Sequence, residues 1–284
     1  MALEQTRQLS GGPASKPTRP LRGILSPPPI GEFEHRRVAP SASLADSVEH
    51  FWYVRWRCLE HPQQTVATLP HPCVHWTFER DAARIGGVHT RLWQRALDEA
   101  GEVFGIKFRP AGFRGVWGQP LQALTDRRFD AEAQPVLAFG RALRAQVFAF
   151  AAGTEVEARI ELLQQCLRAH LPSPSSSALT VNAMVDAACE DRSLLRAEDW
   201  AQRHGLNIRS LQRLLRDWVG VGPKWIIARY RLHEALAVLQ GSPHTDLSAL
   251  AADLGYADAA HFSREFKRLL GLSPSALRGR TAAS

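Results

Sequence analysis

The stretch Asp246–Pro274, DLSALAADLGYADAAHFSREFKRLLGLSP, decides the fold of the C-terminal half of this 284-residue chain. It predicts a short helix over Leu247–Leu254, a turn at Gly255, and a second helix capped by Asp258. Apolar residues recur at helical spacing along the second helix, and its opposite face is basic. That face carries Ala259, Ala260, His261, Arg264, Lys267 and Arg268. A basic helix after a tight turn suits the major groove of DNA, and an ordinary solvated surface helix is the alternative.

The same unit occurs a second time upstream. Arg196–His204 predicts a helix, Gly205 a turn, and Ile208–Val219 a second helix that Asn207 caps. Both copies end in Gly-x-[Gly/Ser]-Pro, and a repeat is more specific than either half. The predicted helix between them, Lys224–Gln240, is about 25 Å long and can hold two recognition helices one turn of B-DNA apart. The candidate DNA contacts of the first copy are Arg209, Gln212, Arg213 and Arg216.

Two segments of this region resemble the DNA-binding domain of the AraC family of transcriptional regulators. They are LQRLLRDWVGVGPKWIIARYRLHEAL (Leu211–Leu236) and LAADLGYADAAHFSREFKRLLGLSPSALR (Leu250–Arg278). The second segment follows the family pattern closely. The first departs from it, because Leu215 replaces the usual Phe and Gly222-Pro223 replaces the usual Ser-Pro, so sequence readout by its helix is less secure.

The resemblance implies a sequence-specific transcription regulator, with an activator as one form, rather than an enzyme. The expected partners are a double-stranded DNA operator and RNA polymerase, and the expected location is the bacterial cytoplasm, at the nucleoid. The positions of Arg213 and Arg231 serve the fold in this family as much as the DNA. The net charge of +7 agrees with a polyanionic partner.

The chain divides into four segments by composition. We predict a Pro- and Arg-rich segment without fixed structure at residues 1–34, a β-rich domain at 35–171, a linker at 172–179 and an all-helical domain at 180–284. The fold class is therefore α+β with two domains. Short strands run to about residue 130, and two amphipathic helices follow over residues 136–171.

Parts of the β-rich domain resemble an uncharacterised N-terminal domain found in some AraC-like proteins. The segments are FWYVRW (Phe51–Trp56), LPHPCVHWTFE (Leu69–Glu79), GIKFRPAGF (Gly105–Phe113) and GQPLQALTDRRF (Gly118–Phe129). This implies a cupin-like or other β-rich pocket for a small-molecule effector, with helices that form a homodimer. The alternative is that the helices only cover the sheet. The candidate effector residues are Trp52, Trp56, Trp76 and His75.

Two other functions stay open from the residues alone. His71, Cys73 and His75 would share one face of a strand, which suits a soft metal or redox signal, although Pro72 interrupts the strand and a fourth ligand is missing. We therefore predict no metal and no cofactor. The second alternative is a DNA-binding protein that needs no effector.

Several classes of protein are excluded by missing patterns. The chain has no P-loop, nucleophile elbow, HExxH or dinucleotide fingerprint, and its four scattered cysteines form neither a disulfide scaffold nor a zinc module. No apolar run approaches the length of a membrane span, and no secretory signal is evident.

Overall fold

The computed structural model describes residues 25, 31–58, 64–150, 155–242 and 245–277. The predicted N-terminal segment lies almost wholly outside these residues. Strands occupy the first part of the chain and helices the rest, which confirms the predicted α+β class. The strands are β1 (Gly31–Val38), β2 (Val48–Cys58), β3 (Gln64–Thr68), β4 (His75–Phe78), β5 (Ala83–Gly86), β6 (Trp93–Leu97), β7 (Ala100–Phe108) and β8 (Arg128–Asp130).

Six strands form one antiparallel sheet in the order β1-β2-β7-β4-β5-β8, and β3 pairs with β6 in a separate two-stranded sheet. The dense aromatic and β-branched residues of β2 and β7 explain why these strands are the longest inner pair. Glu49 interrupts their register between Val48 and His50. One face of the sheet carries buried Phe51, Trp76 and Ile106.

Two helices cover that buried face. They are α2 (Gly140–Phe148), which follows a 3-10 turn at Pro135–Leu137, and α3 (Val156–His170). The helix predicted from residue 136 therefore begins four residues later. The apolar side chains of both helices are buried in the same core as the sheet. Their apolar faces are thus used within one chain, which supports the alternative that these helices cover the sheet.

Along the chain, α1 (Arg114–Trp117) and a 3-10 helix at Leu121–Leu124 lie between β7 and β8. The linker predicted at residues 172–179 is shorter than expected, because α4 (Ser176–Glu190) already begins at Ser176. Ser175 caps α4 by accepting a hydrogen bond from the backbone N–H of Ala178.

The C-terminal region is helical, as predicted. It continues with α5 (Ala197–Arg203), α6 (Ile208–Trp218), α7 (Pro223–Gly241), α8 (Leu247–Asp253) and α9 (Ala259–Leu270), and residues 274–277 are again helical. Its apolar side chains form two cores, one around α4–α6 and one around α7–α9. In the part of the chain that the structure describes, no helix combines the length and apolar character that crossing a bilayer requires.

Candidate nucleic-acid interface

Helix α6 presents a row of cations to solvent. Asn207 caps it, with the side-chain oxygen 2.9 Å from the backbone nitrogen of Ser210, as predicted. Leu211 and Leu215 are fully buried below, so the helix cannot rotate without exposing them. Of the predicted contacts on α6, Gln212 is half-buried and three arginines are exposed: Arg209, Arg213 and Arg216.

Helix α9 has the same three features as α6: a side-chain cap, a buried apolar face and exposed cations. Asp258 accepts a hydrogen bond from the backbone N–H of His261 at 2.5 Å, which confirms the predicted cap. Phe262 and Phe266 are fully buried and fix the inward face. The predicted contacts lie on the other side, where Ala259 is half-buried and the rest are exposed: Ala260, His261, Arg264, Lys267 and Arg268.

These exposed cations have few counter-charges. Arg268 lies 3.8 Å from Glu265. Within the described residues, no ion pair is found for five of the cations: Arg209, Arg213, Arg216, Arg264 and Lys267. Unpaired exposed arginine and lysine on capped helices are suited to phosphates and base edges.

The two helix-turn-helix units contact each other across α7. Gly205 and Gly255 adopt left-handed conformations at the two turns, with φ of 64° and 72°. A Cβ on Gly255 would come within 2.5 Å of the Leu195 side chain, which lies just before α5. Arg231 of α7 donates a hydrogen bond to the Leu195 carbonyl at 2.8 Å and lies over the Tyr256 ring. Arg231 thus serves the fold, as the resemblance implied.

The N-terminal domain contributes side chains to both cores of the helical region. Val88 and Ala111 are buried with α4 and α6, and Leu69 is buried with α7 and α9. Asn182 of α4 secures the first contact, since its side chain accepts from the Ala111 N–H and donates to the Asp46 carbonyl, at 2.9 and 3.0 Å. The two domains therefore share their packing.

Polar contacts tie the end of α6 to the N-terminal domain. Arg114 of α1 lies 3.0 Å from the Asp217 carboxylate and over the ring of Trp218. The Thr125 hydroxyl donates to the Gly220 carbonyl at 2.7 Å. These contacts leave the arginine row of α6 exposed while they fix the other side of the helix.

A third contact holds the start of α7. Arg229 is buried and donates to the Thr90 carbonyl at 2.6 Å, and burial lowers the pKa of Arg229 to about 10. Trp225 donates to the same carbonyl. The Asp126 carboxylate accepts from both the N–H and the hydroxyl of Thr90, at 2.7 and 2.6 Å, and so orients this acceptor. Asp126 has a φ of 56°, a strained conformation for a residue other than glycine.

Two family models match the chain. Residues 200–280 match a helix-turn-helix domain, and residues 36–130 match a domain of unknown function, DUF6597. The C-terminal match agrees with the AraC-type DNA-binding domain that the sequence resembles. The N-terminal match agrees with the uncharacterised domain that the sequence resembles, and its description assigns no ligand.

Three curated transcription regulators match part of the chain. The transcriptional activator RhaS of Pectobacterium carotovorum is 30% identical over 122 residues, which are 42% of each chain. RhaS of Escherichia fergusonii is 37% identical over 84 residues, covering 29% of this chain and 30% of RhaS. The transcriptional regulator GlxA of Rhizobium meliloti is 36% identical over 83 residues, covering 29% of this chain and 25% of GlxA. The matches thus span between a quarter and about two-fifths of these relatives.

Solved structures overlap more weakly. ToxT from Vibrio cholerae matches 87% of this chain and 97% of its own, at 11% identity and a TM-score of 0.37. A regulator with an AraC-type DNA-binding domain from Chromobacterium violaceum matches 35% of this chain and 90% of its own, at 22% identity and a TM-score of 0.31. At these TM-scores, neither overlap supports an argument about function.

The predicted effector residues occupy different environments in the N-terminal domain. Trp76 is fully buried between Phe78 and Phe139, on the face that α2 and α3 cover, so it is a core residue. Trp56 and Trp52 lie on the opposite face of the sheet, and Trp56 donates to the Asp98 carbonyl. His75 lies beside Trp52, with ring centroids 6.2 Å apart.

The prediction that His71, Cys73 and His75 lie on one strand is wrong. Strand β4 begins only at His75, since Pro70 and Pro72 lack the N–H groups that a ladder needs. The His71 ring stacks on His233 of α7, whereas the Cys73 sulfur lies 3.4 Å from the His75 Nε2. Among the described residues, no set of three or more His, Cys, Asp or Glu side chains is arranged to hold a metal ion.

Sequence reasoning missed the residues that join the domains. Asn182 and Thr90 belong to no motif, and Asp217 lies in a quoted segment that gives it no role; their partners are 71 to 139 residues away in the chain. Trp225 and Arg229 fall inside the helix that the sequence predicted, but helical periodicity does not say which domain covers a buried position.

Proposed function

We propose that the protein is a sequence-specific DNA-binding transcription regulator, and that α6 and α9 enter neighbouring major-groove segments. The observation that carries this proposal is the pair of capped helices, each locked by buried apolar residues and each presenting unpaired cations to solvent. Helix α7 has 19 residues and is about 28 Å long. This length suits the separation of two recognition helices that lie on one side of B-DNA.

The contact residues have distinct proposed roles. Gln212 and Arg213 on α6 and Arg264 on α9 lie near the middle of their helices and suit guanine and adenine edges, whereas Arg216, Lys267 and Arg268 lie near helix ends and suit phosphates. Ala259, Ala260 and His261 lie at the start of α9, where recognition helices approach the bases. RNA polymerase, a homodimer and a nucleoid location in the bacterial cytoplasm belong to the same proposal, and no enzymatic activity is included.

The N-terminal domain, residues 35–171, is proposed to control DNA binding by the helical domain. The proposal is supported by contacts from that domain to both helix-turn-helix units. Leu69 packs against the second unit, whereas Val88 and Arg114 contact the first. A change in the β-rich domain therefore acts directly on the relative placement of α6 and α9. This favours a transcription regulator whose DNA binding is controlled by an effector over a DNA-binding protein without an effector.

The experiment begins with selection of bound duplexes from a random library by the purified full chain, followed by gel-shift titration. We expect Arg264→Ala/Lys267→Ala to weaken binding by at least tenfold and to reduce the slope of log affinity against log salt by about 0.9, because Lys267 is the phosphate contact of this pair and about 0.9 is lost per phosphate contact. Arg55→Ala/Arg57→Ala removes the same charge from exposed positions of β2 and should leave both quantities unchanged. Equal behaviour of the two double variants would refute the assignment of α9.

A further inference from the structure

Part of the sheet face opposite the α2–α3 core is polar and cationic, and an apolar cluster around Trp56 lies on the rest of it. The register places His50, Lys107 and His75 side by side on β2, β7 and β4. In the next row Arg37 pairs with Trp52, which pairs with Gly105. Because alternate residues of a strand share one face, both rows lie on the side away from Phe51, Trp76 and Ile106. We call these two rows the polar face.

The charges on the polar face do not balance. Lys107 is 6% exposed, and its ammonium lies 2.9 Å from Glu49, whose carboxylate is also 3.7 Å from the His50 ring. Glu49 is also the carboxylate that acts on Arg37. Within the described residues two cations therefore face one carboxylate, which leaves an excess positive charge in a largely buried site. The nearest further carboxylate along β4, Glu79, is already paired with three arginines: Arg84, Arg95 and Arg128.

The neighbouring histidines respond to this excess charge. Burial, followed by the charges of Lys107 and Arg37, lowers the pKa of His50 to about 2. Burial and Lys107 lower the pKa of His75 to about 3. Both rings are therefore neutral at physiological pH. A neutral imidazole beside two cations can donate to an acceptor without adding a charge that the site would have to bury.

Two hydrogen-bond donors on the polar face are unused. The Nε–H of Arg37 and the Nε1–H of Trp52 are both buried without a partner, and these residues are direct register partners. The Trp52 indole packs against Gly105, where a Cβ would come within 1.9 Å of the ring, so only glycine leaves room for it. Two adjacent unmet donors beside an excess cation favour an acceptor that carries negative charge.

We propose that the polar face binds a small organic anion, with a carboxylate or phosphate group that accepts from Arg37 and Trp52 and compensates the charge of Arg37 and Lys107. The apolar part of the ligand lies along Trp52, toward Val54 and Trp56. A metal ion is disfavoured there, because Arg37 and Lys107 would repel it.

The polar face is connected to the contacts that hold the helical domain. Cys73 touches His75, and two and four residues earlier His71 and Leu69 pack against α7 and α9. His89, whose charge acts on His75, precedes Thr90, the acceptor for Arg229. An anion at this site therefore acts within a few residues of the interdomain contacts. This regulatory consequence rests on the proposed function, whereas binding of the anion does not.

Titration of the full chain with a panel of probes tests the site, using intrinsic tryptophan fluorescence and calorimetry. The anions are benzoate, phenylacetate and phenyl phosphate, and the neutral controls are benzamide and phenylacetamide. We expect at least one anion to bind saturably and its neutral counterpart not to bind. Arg37→Gln should weaken that binding about 10- to 100-fold, since it removes a charged donor. Trp52→Phe keeps the ring and removes the donor, and should weaken it several-fold.

Arg36→Gln is the matched control, because Arg36 is the neighbouring residue of β1 on the opposite face, paired with Glu34 at the surface. Thermal unfolding of each variant confirms that it is folded. No saturable binding of any anion at millimolar concentration, or equal affinity in the Arg37→Gln and Arg36→Gln variants, overturns the proposal. Gel shifts with and without the bound anion are measured separately, so that loss of the DNA-binding proposal leaves the anion result intact.

Discussion

Truncating Leu69 to alanine tests whether the N-terminal domain is packed into the helical domain. Leu69 lies between β3 and β4, yet its side chain is 0% exposed and belongs to the core formed by α7, α8 and α9. Removing a fully buried leucine side chain costs its transfer free energy plus the cavity that remains, about 2–5 kcal/mol. That loss would fall on the contact between the domains.

Urea unfolding of the full chain, followed by circular dichroism and tryptophan fluorescence, measures this loss. We expect Leu69→Ala to lower the free energy of unfolding by about 2–5 kcal/mol and to separate the two signals as the domains lose their shared packing. Leu179→Ala is the matched control, since Leu179 on α4 is 41% exposed, and it should change stability by about 0.5 kcal/mol or less. If both variants lose the same free energy, Leu69 is not buried against α7 and the domains are not coupled through it.

Two further predictions concern a helix cap and acid sensitivity. Asp258→Ala should lower the stability of the C-terminal domain by about 1 kcal/mol in thermal unfolding, and Asp258→Asn should restore most of it, because the lost group is the acceptor for the His261 N–H; a fully stable alanine variant would contradict the cap. The pKa values of His50 and His75 are lowered in the folded protein, so the unfolded chain binds more protons below about pH 6.5, and stability present above that pH is lost as the pH falls. Each histidine should lower the free energy of unfolding by about 1.4 kcal/mol at pH 5.5 relative to pH 7.5, as measured by urea unfolding at the two pH values. The variant His50→Gln/His75→Gln should show a smaller difference between the two pH values. An unchanged difference would argue against buried neutral rings.

Local patterns were sufficient to predict the helical domain. Asn207 and Asp258 cap their helices as expected, and Gly205 and Gly255 take the left-handed conformation at the two turns. Caps, glycine turns and helical periodicity depend on neighbours within about four residues, so they can be predicted from the local sequence alone. The start of α4 was placed too late, because a Ser-rich stretch at residues 172–177 suggested a linker.

The β-rich domain was predicted less completely, for a physical reason. Alternation along β2 indicated a strand, but it did not say which of its two faces α2 and α3 would cover. Trp76 and Trp52 were therefore equivalent candidates for an effector in the sequence. The register separates them, with Trp76 in the core and Trp52 beside Arg37 on the polar face.

The sequence by itself determined the two helix-turn-helix units, the cations on their outer faces and the alternation of the strands, because each depends on residues close together in the chain. Only the tertiary structure decided which strand face is buried, that Leu69 and Val88 complete the cores of the helical domain, and that Arg37, Trp52 and Lys107 meet. Those outcomes depend on pairings between residues that are far apart in the chain, and such pairings are set by the packing of the whole sheet against the helices rather than by any local pattern.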